Sequence, residues 1–522
     1  MPHPTPGDVT GQAVAALAGR HVVFLNWRDL DHPQAGGAEL FCQSVAGRFA
    51  AAGVDVTLLT ARPPGLAAKA TVDGVQVWRG GGTFGVYPSV LARLARLARS
   101  ARGVDAVVDC QNGIPFFSPL VLPAATPVVQ VLHHVHQKQF PLFFPGPVAK
   151  AGQLLEAPGS RWVYRRRPLA AVSPSTRDEA RAVLRLPGPR FLVPNGVTAP
   201  AGDAPVPPRA ASPTIVCVGR LVPHKRLHLL LEAIPALAAR HPGLVVHLVG
   251  SGPDRERLEA RAAELGIAQG GPDGGPGGQA VLRWHGHTEA ATRDALLAGA
   301  WLTVNPSHGE GWGLSVLEAN ALGVPAVAFR VPGLRDAVLD GRTGWLVDSP
   351  ARLADTIDAA LTELGEPARA AALRDGARGW AAGFSWEASA ALLATVLSGE
   401  LARAGRPDHR RPDDVVTRAW FPLAQDAPPP ALRRTDLVYR TRPDDADGGL
   451  GPGAVALLYG ASPAAARAAL DRAGVAAGAA RLRAATGSDL LVGTGRAWGA
   501  GGGHDARPVP AGLGGGPEAH RR

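Results

Sequence analysis

The sequence predicts an α/β protein of two successive parallel-sheet domains, followed by an extension of less regular composition. Three observations carry this. The chain has 522 residues, too many for one ordinary hydrophobic core, so two or three domains are expected. Short apolar runs alternate with stretches of helical spacing, the pattern of repeated βα units. A Pro/Ala-rich linker, 198–213, divides that alternation into two series.

In the first series, residues 1–20 read as a flexible tail and His21–Asn26 as a buried strand. Helical spacing runs from Ala38 through Leu40, Phe41, Val45 and Phe49 until Gly53 stops it, and Val54–Thr60 is the next strand. This is a βαβ unit with Gly36 and Gly37 at the helix entrance. A glycine pair there lets a ligand approach the backbone, and a plain tight turn is the alternative. Val75–Arg79 is a third strand, and Gly80–Gly85 matches G-x-G-x-x-G with Asp105 about 20 residues on, as the dinucleotide fingerprint asks. Tyr87-Pro88-Ser89 is expected to separate those glycines from the next helix, and the strand is not the first, so the match reads as a decoy. Strands follow at 106–110 and 128–132, the second running into His133, His134 and His136. No acidic or cysteine partner lies nearby at metal-ligand spacing. The end of a strand in an open α/β sheet is instead where ligands bind, so one of these histidines reads as a polar or catalytic contact. Residues 169–173 and 191–197 complete this domain.

The second series opens with the strand Thr214–Arg220, and a turn containing Lys225 leads into a helix from Leu227 to Ala239. Arg220 at a strand end and Lys225 near a helix entrance are suited to a diphosphate. A solvated basic turn is the alternative, less comfortable for Lys225 because only Lys69, Lys138, Lys150 and Lys225 are lysines. A strand over 244–249 ends in Gly250-Ser251-Gly252, a helix covers 255–265, the glycine-rich stretch 269–278 reads as a mobile surface loop, and a strand over 281–287 ends at His287. The central stretch follows: strand 300–304, a glycine-rich turn, and a helix closed by Gly323 and Pro325. Glu310 lies in the turn and Glu318 one turn into the helix. The amides of Gly311, Trp312, Gly313 and Leu314 are first-turn donors suited to an anionic or polyhydroxy ligand. One capping and one solvated glutamate would explain the pair equally well at this level. Strands at 326–329 and 344–347 and helices over 350–397 complete the series. Beyond residue 399, stretches 401–430 and 496–522 read as linker or disordered, around a small α/β appendage at 436–495.

Composition excludes several classes. No apolar run approaches the ~20 residues needed to span a bilayer, and no secretory signal pattern opens the chain. Three separated cysteines in apolar surroundings argue for reduced buried thiols, and so for a cytoplasmic protein. The net charge of +10 comes almost entirely from arginine. Coding bias toward arginine is a sufficient explanation; a basic surface would also suit a sugar-nucleotide diphosphate or peripheral association with an anionic membrane at its inner face, and no nucleic-acid module accompanies it.

Taken in order, these motifs resemble glycosyltransferase family four, retaining enzymes with two facing Rossmann-like domains (the GT-B fold). The resemblance covers about residues 21–398. Glu310-Gly311-Trp312-Gly313-Leu314 with Glu318 looks like the family's Glu-x7-Glu signature, Gly219-Arg220 with Lys225 like its phosphate-binding pair, and Gly36-Gly37-Ala38-Glu39 like its N-domain glycine loop. Val172-Ser173, Asn195-Gly196-Val197, Gly341-Arg342-Thr343-Gly344 and Phe384-Ser385-Trp386 match further landmarks. The resemblance implies an N-terminal acceptor-side domain at 21–197, a donor domain at 214–375, and a C-terminal helix, 376–398, packing back on the first domain. It implies that Glu310 and the amides after it hold the donor sugar and diphosphate, that Glu318 binds the ribose, that Arg220 and Lys225 neutralise the departing diphosphate, and that His133 faces the reaction centre. Gly252, His287 and Ser315 would complete the donor site. Where the family often has Phe and Pro, this chain has Trp312 and Ser315, both expected to line the donor pocket. The implied activity is hexosyl transfer from a nucleotide-diphosphate sugar to a glycan, glycolipid or small-molecule acceptor, without a metal or other cofactor. The alternatives are an NAD-dependent oxidoreductase and a non-catalytic sugar-nucleotide-binding protein.

Overall fold

A computed structural model of the chain describes residues 12–83, 85–198, 208–275 and 280–404, and most of the regular segments between 416 and 490. The expected tail before residue 12, the linker centre at 199–207 and the stretch 496–522 lie outside the described residues. The chain forms two units, one of residues up to Gly196 together with those from Gly383 onward, the other Val197–Ala382.

The first unit is built on eight strands: β1 (His21–Leu25), β2 (Asp55–Thr60), β3 (Lys69–Val72), β4 (Val75–Arg79), β5 (Ala106–Asn112), β6 (Val128–His134), β7 (Leu169–Ala171) and β8 (Arg190–Leu192). Their order is β3-β4-β2-β1-β5-β6-β7-β8. Every pair is parallel except β3 with β4. The central strands are apolar along their whole length because helices cover both faces of a parallel sheet. Phe24, Phe41 and Phe49 are fully buried, and the helix Gly37–Ala51 carries the last two of them.

Several expectations are corrected here. Residues 12–15 are helical and Leu17 is fully buried, so the packed domain begins inside the supposed tail. The glycines at 80–85 do open the next helix, which starts at Val86 with Pro88 in its first turn. Proline is tolerated there because first-turn amides have no helical partner. The dinucleotide reading fails on other grounds. A Cβ on Gly81 would lie 2.2 Å from the Gly85 carbonyl oxygen, and Asp105 is engaged by Arg20 and the His21 amide.

The chain returns to the first unit through the helix Trp386–Ala404, later than the expected 376–398. A Cβ on Gly196 would collide with the Trp386 amide at 2.2 Å, Ser389 Oγ donates to the Pro194 carbonyl at 2.6 Å, and Arg48 pairs with Glu387 at 2.5 Å. A four-stranded antiparallel sheet follows: β16 (Val416–Pro422), β17 (Leu437–Arg440), β18 (Gly453–Tyr459) and β19 (Arg481–Ala484), ordered β17-β18-β16-β19. β16 lies in a stretch expected to be linker. Its Ala419 and Phe421 are buried in the core of this sheet, which the proline-rich flanks hide from periodicity.

The second unit has seven parallel strands: β9 (Thr214–Val218), β10 (Val245–Val249), β11 (Gln269–Gly270), β12 (Leu282–Gly286), β13 (Leu302–Asn305), β14 (Ala326–Phe329) and β15 (Gly344–Val347). The order is β11-β12-β10-β9-β13-β14-β15. Part of the glycine-rich stretch read as a loop is the edge strand β11, which pairs with β12 and whose Gln269 accepts from the Trp284 indole at 3.0 Å. The helix Ala290–Gly299 is an element the sequence reading left out. The linker's end is docked on this unit. Arg209 stacks 3.6 Å from the Trp301 ring, and Trp301 donates to the Ala210 carbonyl at 2.7 Å.

Candidate active site

In the second unit β9 lies between β10 and β13, so the connections leaving β9 and β13 diverge. Such a switch point leaves a crevice at the carboxyl ends of the strands, where open α/β sheets bind ligands. Gly219, Arg220 and Lys225 follow β9, Ser307 and Glu310 follow β13, and a small cavity is lined by Gly219, Arg220, Lys225, Asn305 and Ser307.

Backbone packing fixes the floor of this crevice. Gly250 has φ +139° and Gly252 +159°. A Cβ on Gly250 would lie 1.9 Å from the Gly219 carbonyl oxygen, and one on Gly252 2.2 Å from that of Leu221. Gly252, expected as a donor contact, therefore packs against the Arg220 loop. Arg226 adopts a left-handed backbone (φ 49°). Its guanidinium donates to the carbonyls of Pro306 and Ser307 at 3.0 and 3.2 Å and lies 4.4 Å from the centre of the Phe329 ring. It bolts the loop after β13 to the turn after β9, a role invisible in sequence because its partners are some eighty residues away.

At the centre, Lys225 Nζ donates to Glu310 Oε1 at 2.5 Å and Ser307 Oγ donates to the same oxygen at 2.7 Å. Burial alone would raise the Glu310 carboxyl. The charge and hydrogen bond of Lys225, the Ser307 hydroxyl and the nearby His224 outweigh it and hold the group at about 2. The backbone is clamped as well: the Glu310 amide donates to the Pro332 carbonyl at 3.1 Å, and a Cβ on Gly333 would lie 2.2 Å from the Glu310 carbonyl oxygen. Arg220 is exposed, and among the described residues its side chain has no hydrogen-bonded partner. The crevice thus holds one carboxylate locked to one cation, with a second cation beside them.

The helix Leu314–Ala321 begins from Gly313 at φ +88°, and its first internal bonds come from Val316 and Leu317 to the Gly313 carbonyl. The amides of Leu314 and Ser315 precede those bonds. Ser315 Oγ accepts from Asn305 at 3.3 Å. Trp312, expected to line a donor pocket, is 2% exposed, its indole buried. Glu318 lies 3.6 Å from Arg293 of the Ala290–Gly299 helix. Burial raises its carboxyl; Arg293 opposes that rise and Asp294 adds to it. Arg293 was missed because the helix carrying it was missed. His287 is exposed in the turn after β12.

The remaining candidates belong to the first unit. Gly36 caps the Gly37–Ala51 helix with an extended backbone, and its amide donates to Glu39 Oε2 at 2.8 Å. His133 is buried, its ring 5.1 Å from that of Phe41. Its Nε2 has no hydrogen-bond partner among the described residues. Burial and the neighbouring His136 lower its pKa to about 3, so the ring is neutral. His134 and His136, read as less suited, are half-exposed just beyond it. All three cysteines are buried and free, and the fold brings Cys42 and Cys110 into contact. Among the described residues no cluster of three or more His, Cys, Asp or Glu is placed to hold a metal ion.

Two largely parallel α/β sheets joined by a linker, with a cationic crevice at the switch point of the second, define the class of GT-B glycosyltransferases. Residues 204–380 match the family described as Glycosyl transferases group 1, and residues 35–199 match Glycosyltransferase Family 4. The chain belongs to glycosyltransferase family four. It is similar to the GDP-mannose-dependent alpha-(1-6)-phosphatidylinositol monomannoside mannosyltransferase of Mycolicibacterium smegmatis, 37% identical over 198 residues, which are 36% of this chain and 48% of that one. The D-inositol 3-phosphate glycosyltransferase of Thermobispora bispora is 37% identical over 259 residues, 44% of this chain and 56% of that one. The chain spans about half the length of these curated relatives. Among solved structures, sucrose-phosphate synthase from Thermosynechococcus elongatus superposes with a TM-score of 0.59 at 20% identity, covering 73% of this chain and 99% of that one. Anabaena HepE in complex with UDP-glucose gives 0.52 at 17% identity, covering 73% and 99%.

Proposed function

We propose that this protein transfers a hexosyl group from a nucleoside-diphosphate sugar to a hydroxyl of a glycan, glycolipid or small-molecule acceptor, with retention at the anomeric carbon. The observation that carries the reading is the Lys225–Glu310 pair beside Arg220 at the switch point. Transfer breaks the bond between the anomeric carbon and the diphosphate oxygen, and negative charge grows on the leaving group. Arg220 and Lys225 supply fixed positive charge for it, in place of a metal, in a partly desolvated crevice. Glu310, ionised by its neighbours, orients Lys225 and accepts hydrogen bonds from sugar hydroxyls. Glu318 accepts from the ribose hydroxyls, with the amides of Leu314 and Ser315 toward the diphosphate. The acceptor oxygen bonds to the anomeric carbon, and its proton passes to the departing phosphate. His133 contributes a neutral ring toward the acceptor side, its buried Nε2 without a hydrogen-bond partner among the described residues. The buried, reduced thiols suit a cytoplasmic setting.

The test is transfer from a panel of GDP-mannose, UDP-glucose, UDP-N-acetylglucosamine and ADP-glucose, with GDP-mannose first because a relative is named for it. Glu310→Ala and Lys225→Ala should each lower kcat/KM at least ~100-fold, the scale of losing a transition-state charge contact, with circular dichroism unchanged. Full activity in either variant overturns that residue's role. Unchanged turnover in EDTA is expected.

A further inference from the structure

Most of the large apolar side chains that are exposed in the described chain fall in one stretch of the first unit, between β6 and β7. This stretch contains the helix Gly146–Leu154, a π-helical turn Leu155–Gly159 and a short helix Ser160–Val163. Leu142, Phe143, Phe144, Leu154, Leu155 and Trp162 all face solvent, Trp162 at 64% exposure and Leu142 at 57%. Isolated exposed apolar residues need no explanation, but a contiguous group of this size marks an interaction surface.

The outward direction of these side chains is fixed by what lies beneath. A Cβ on Gly152 would meet the buried Phe140 ring at 2.7 Å, so helix and ring are in close contact. Glu156 is fully buried and accepts from the His136 amide at 2.6 Å and from Gln137 Nε2 at 2.8 Å. The buried Tyr164 hydroxyl donates to Asp109, which the amides of Phe116 and Ser118 also hold. The polar side chains of Glu156 and Tyr164 are thus turned inward and hydrogen-bonded, and the apolar ones are turned out. That inverts the ordinary surface helix.

The charge pattern identifies the occupant. Lys138, Lys150, Arg165 and Arg166 are all exposed around the apolar group, and two of them are among the chain's four lysines. The one carboxylate between residues 113 and 177 is the buried Glu156. Outward Trp, Phe and Leu framed by exposed basic residues are what an interfacial element presents to an anionic bilayer. No described helix is long and apolar enough to cross a membrane, so the element would lie on the surface. We propose that residues 138–166 form a membrane-docking surface, seating the first unit on anionic lipid headgroups with its apolar side chains at the acyl boundary.

The test needs neither donor nor acceptor, so it stands or falls apart from the proposed transfer reaction. The full chain is floated with vesicles of phosphatidylcholine alone and of phosphatidylcholine mixed equally with phosphatidylglycerol. Binding to the anionic vesicles should exceed binding to the neutral ones at least ~tenfold and weaken with salt. Lys150→Glu and Arg166→Glu should each lower anionic binding at least about fivefold, the scale of one basic residue at such a surface. Leu154→Ser with Trp162→Ser should lower binding to both vesicles. These side chains are exposed, so thermal stability should not change, and charge reversal gives a second route if the apolar variant misfolds. Failure of the wild type to float with anionic vesicles, or undiminished binding in the variants, overturns the proposal. So does a dimer in solution that Trp162→Ser dissociates, which would make the face a contact between copies of the chain.

Discussion

Lys225 and Glu310 depend on each other. Each side chain is 18% exposed, so removing either leaves a largely desolvated charge without its counter-ion. Lys225→Met is expected to lower stability by about 2–3 kcal/mol, and adding Glu310→Gln should recover part of it. Urea denaturation of the four members of this cycle reads the coupling, and strictly additive losses would mean the pair does not act as one. Acid separates two buried groups. Glu310 titrates near 2 in the folded chain against an ordinary 4.5, so its contribution is present above about 4.5 and is lost as pH falls toward 2. His133 titrates near 3 against an ordinary 6.5. The unfolded chain takes up that proton first, so folding weakens as pH falls below about 6.5. By about pH 5 the stability gap between wild type and His133→Asn should have narrowed by about 2 kcal/mol. A gap independent of pH would show that His133 is not held neutral.

At the scale of elements, the crevice at the switch point rests on two loops packed backbone to backbone. Gly250→Ala places a Cβ 1.9 Å from the Gly219 carbonyl oxygen at φ +139°, where neither partner can yield. It should cost more than about 3 kcal/mol or displace the Arg220 loop, raising the KM for the donor sugar. Gly266→Ala is the control. It also has positive φ (+66°) but meets nothing within 4 Å, so a loss of about 1 kcal/mol with unchanged KM is expected. Equal effects of the two changes would remove the close approach as the cause. The same contrast explains what could be read in advance. Buried parallel strands such as β1, β6 and β13 are legible because both faces are covered and the whole run is apolar. The convergence of Arg220, Lys225 and Glu310 on one crevice is legible because all three follow strand ends. Arg226 and Arg293 are not, since their roles depend on partners brought from other elements. β11 has two residues and β16 is flanked by proline and arginine, so neither offers enough alternation to detect. The burial of Trp312 is not legible, because a motif locates a residue along the chain and does not say which way its ring turns.

At the scale of the whole molecule, the two units differ in how the chain builds them. The second is continuous, Val197–Ala382, and contains Arg220, Lys225, Glu310 and Glu318 together. The first is closed only after the chain returns, when Trp386 packs against Phe41 with ring centroids 6.4 Å apart and Ser389 bonds Pro194. Calorimetry should therefore resolve two transitions. A nucleoside diphosphate at about a hundred times its Kd should stabilise the second unit by about 2.7 kcal/mol and raise its transition alone. Glu310→Gln and Gly250→Ala should reduce that rise, and His133→Asn should leave it intact. Trp386→Ala, which removes a buried ring at the closing helix, should lower the other transition by the equivalent of about 3–5 kcal/mol without altering the nucleotide response. If one transition moves in response to both the nucleotide and Trp386→Ala, the units unfold as a single cooperative body. If the nucleotide shift survives Glu310→Gln undiminished, the nucleotide is held elsewhere than at the Lys225–Glu310 pair.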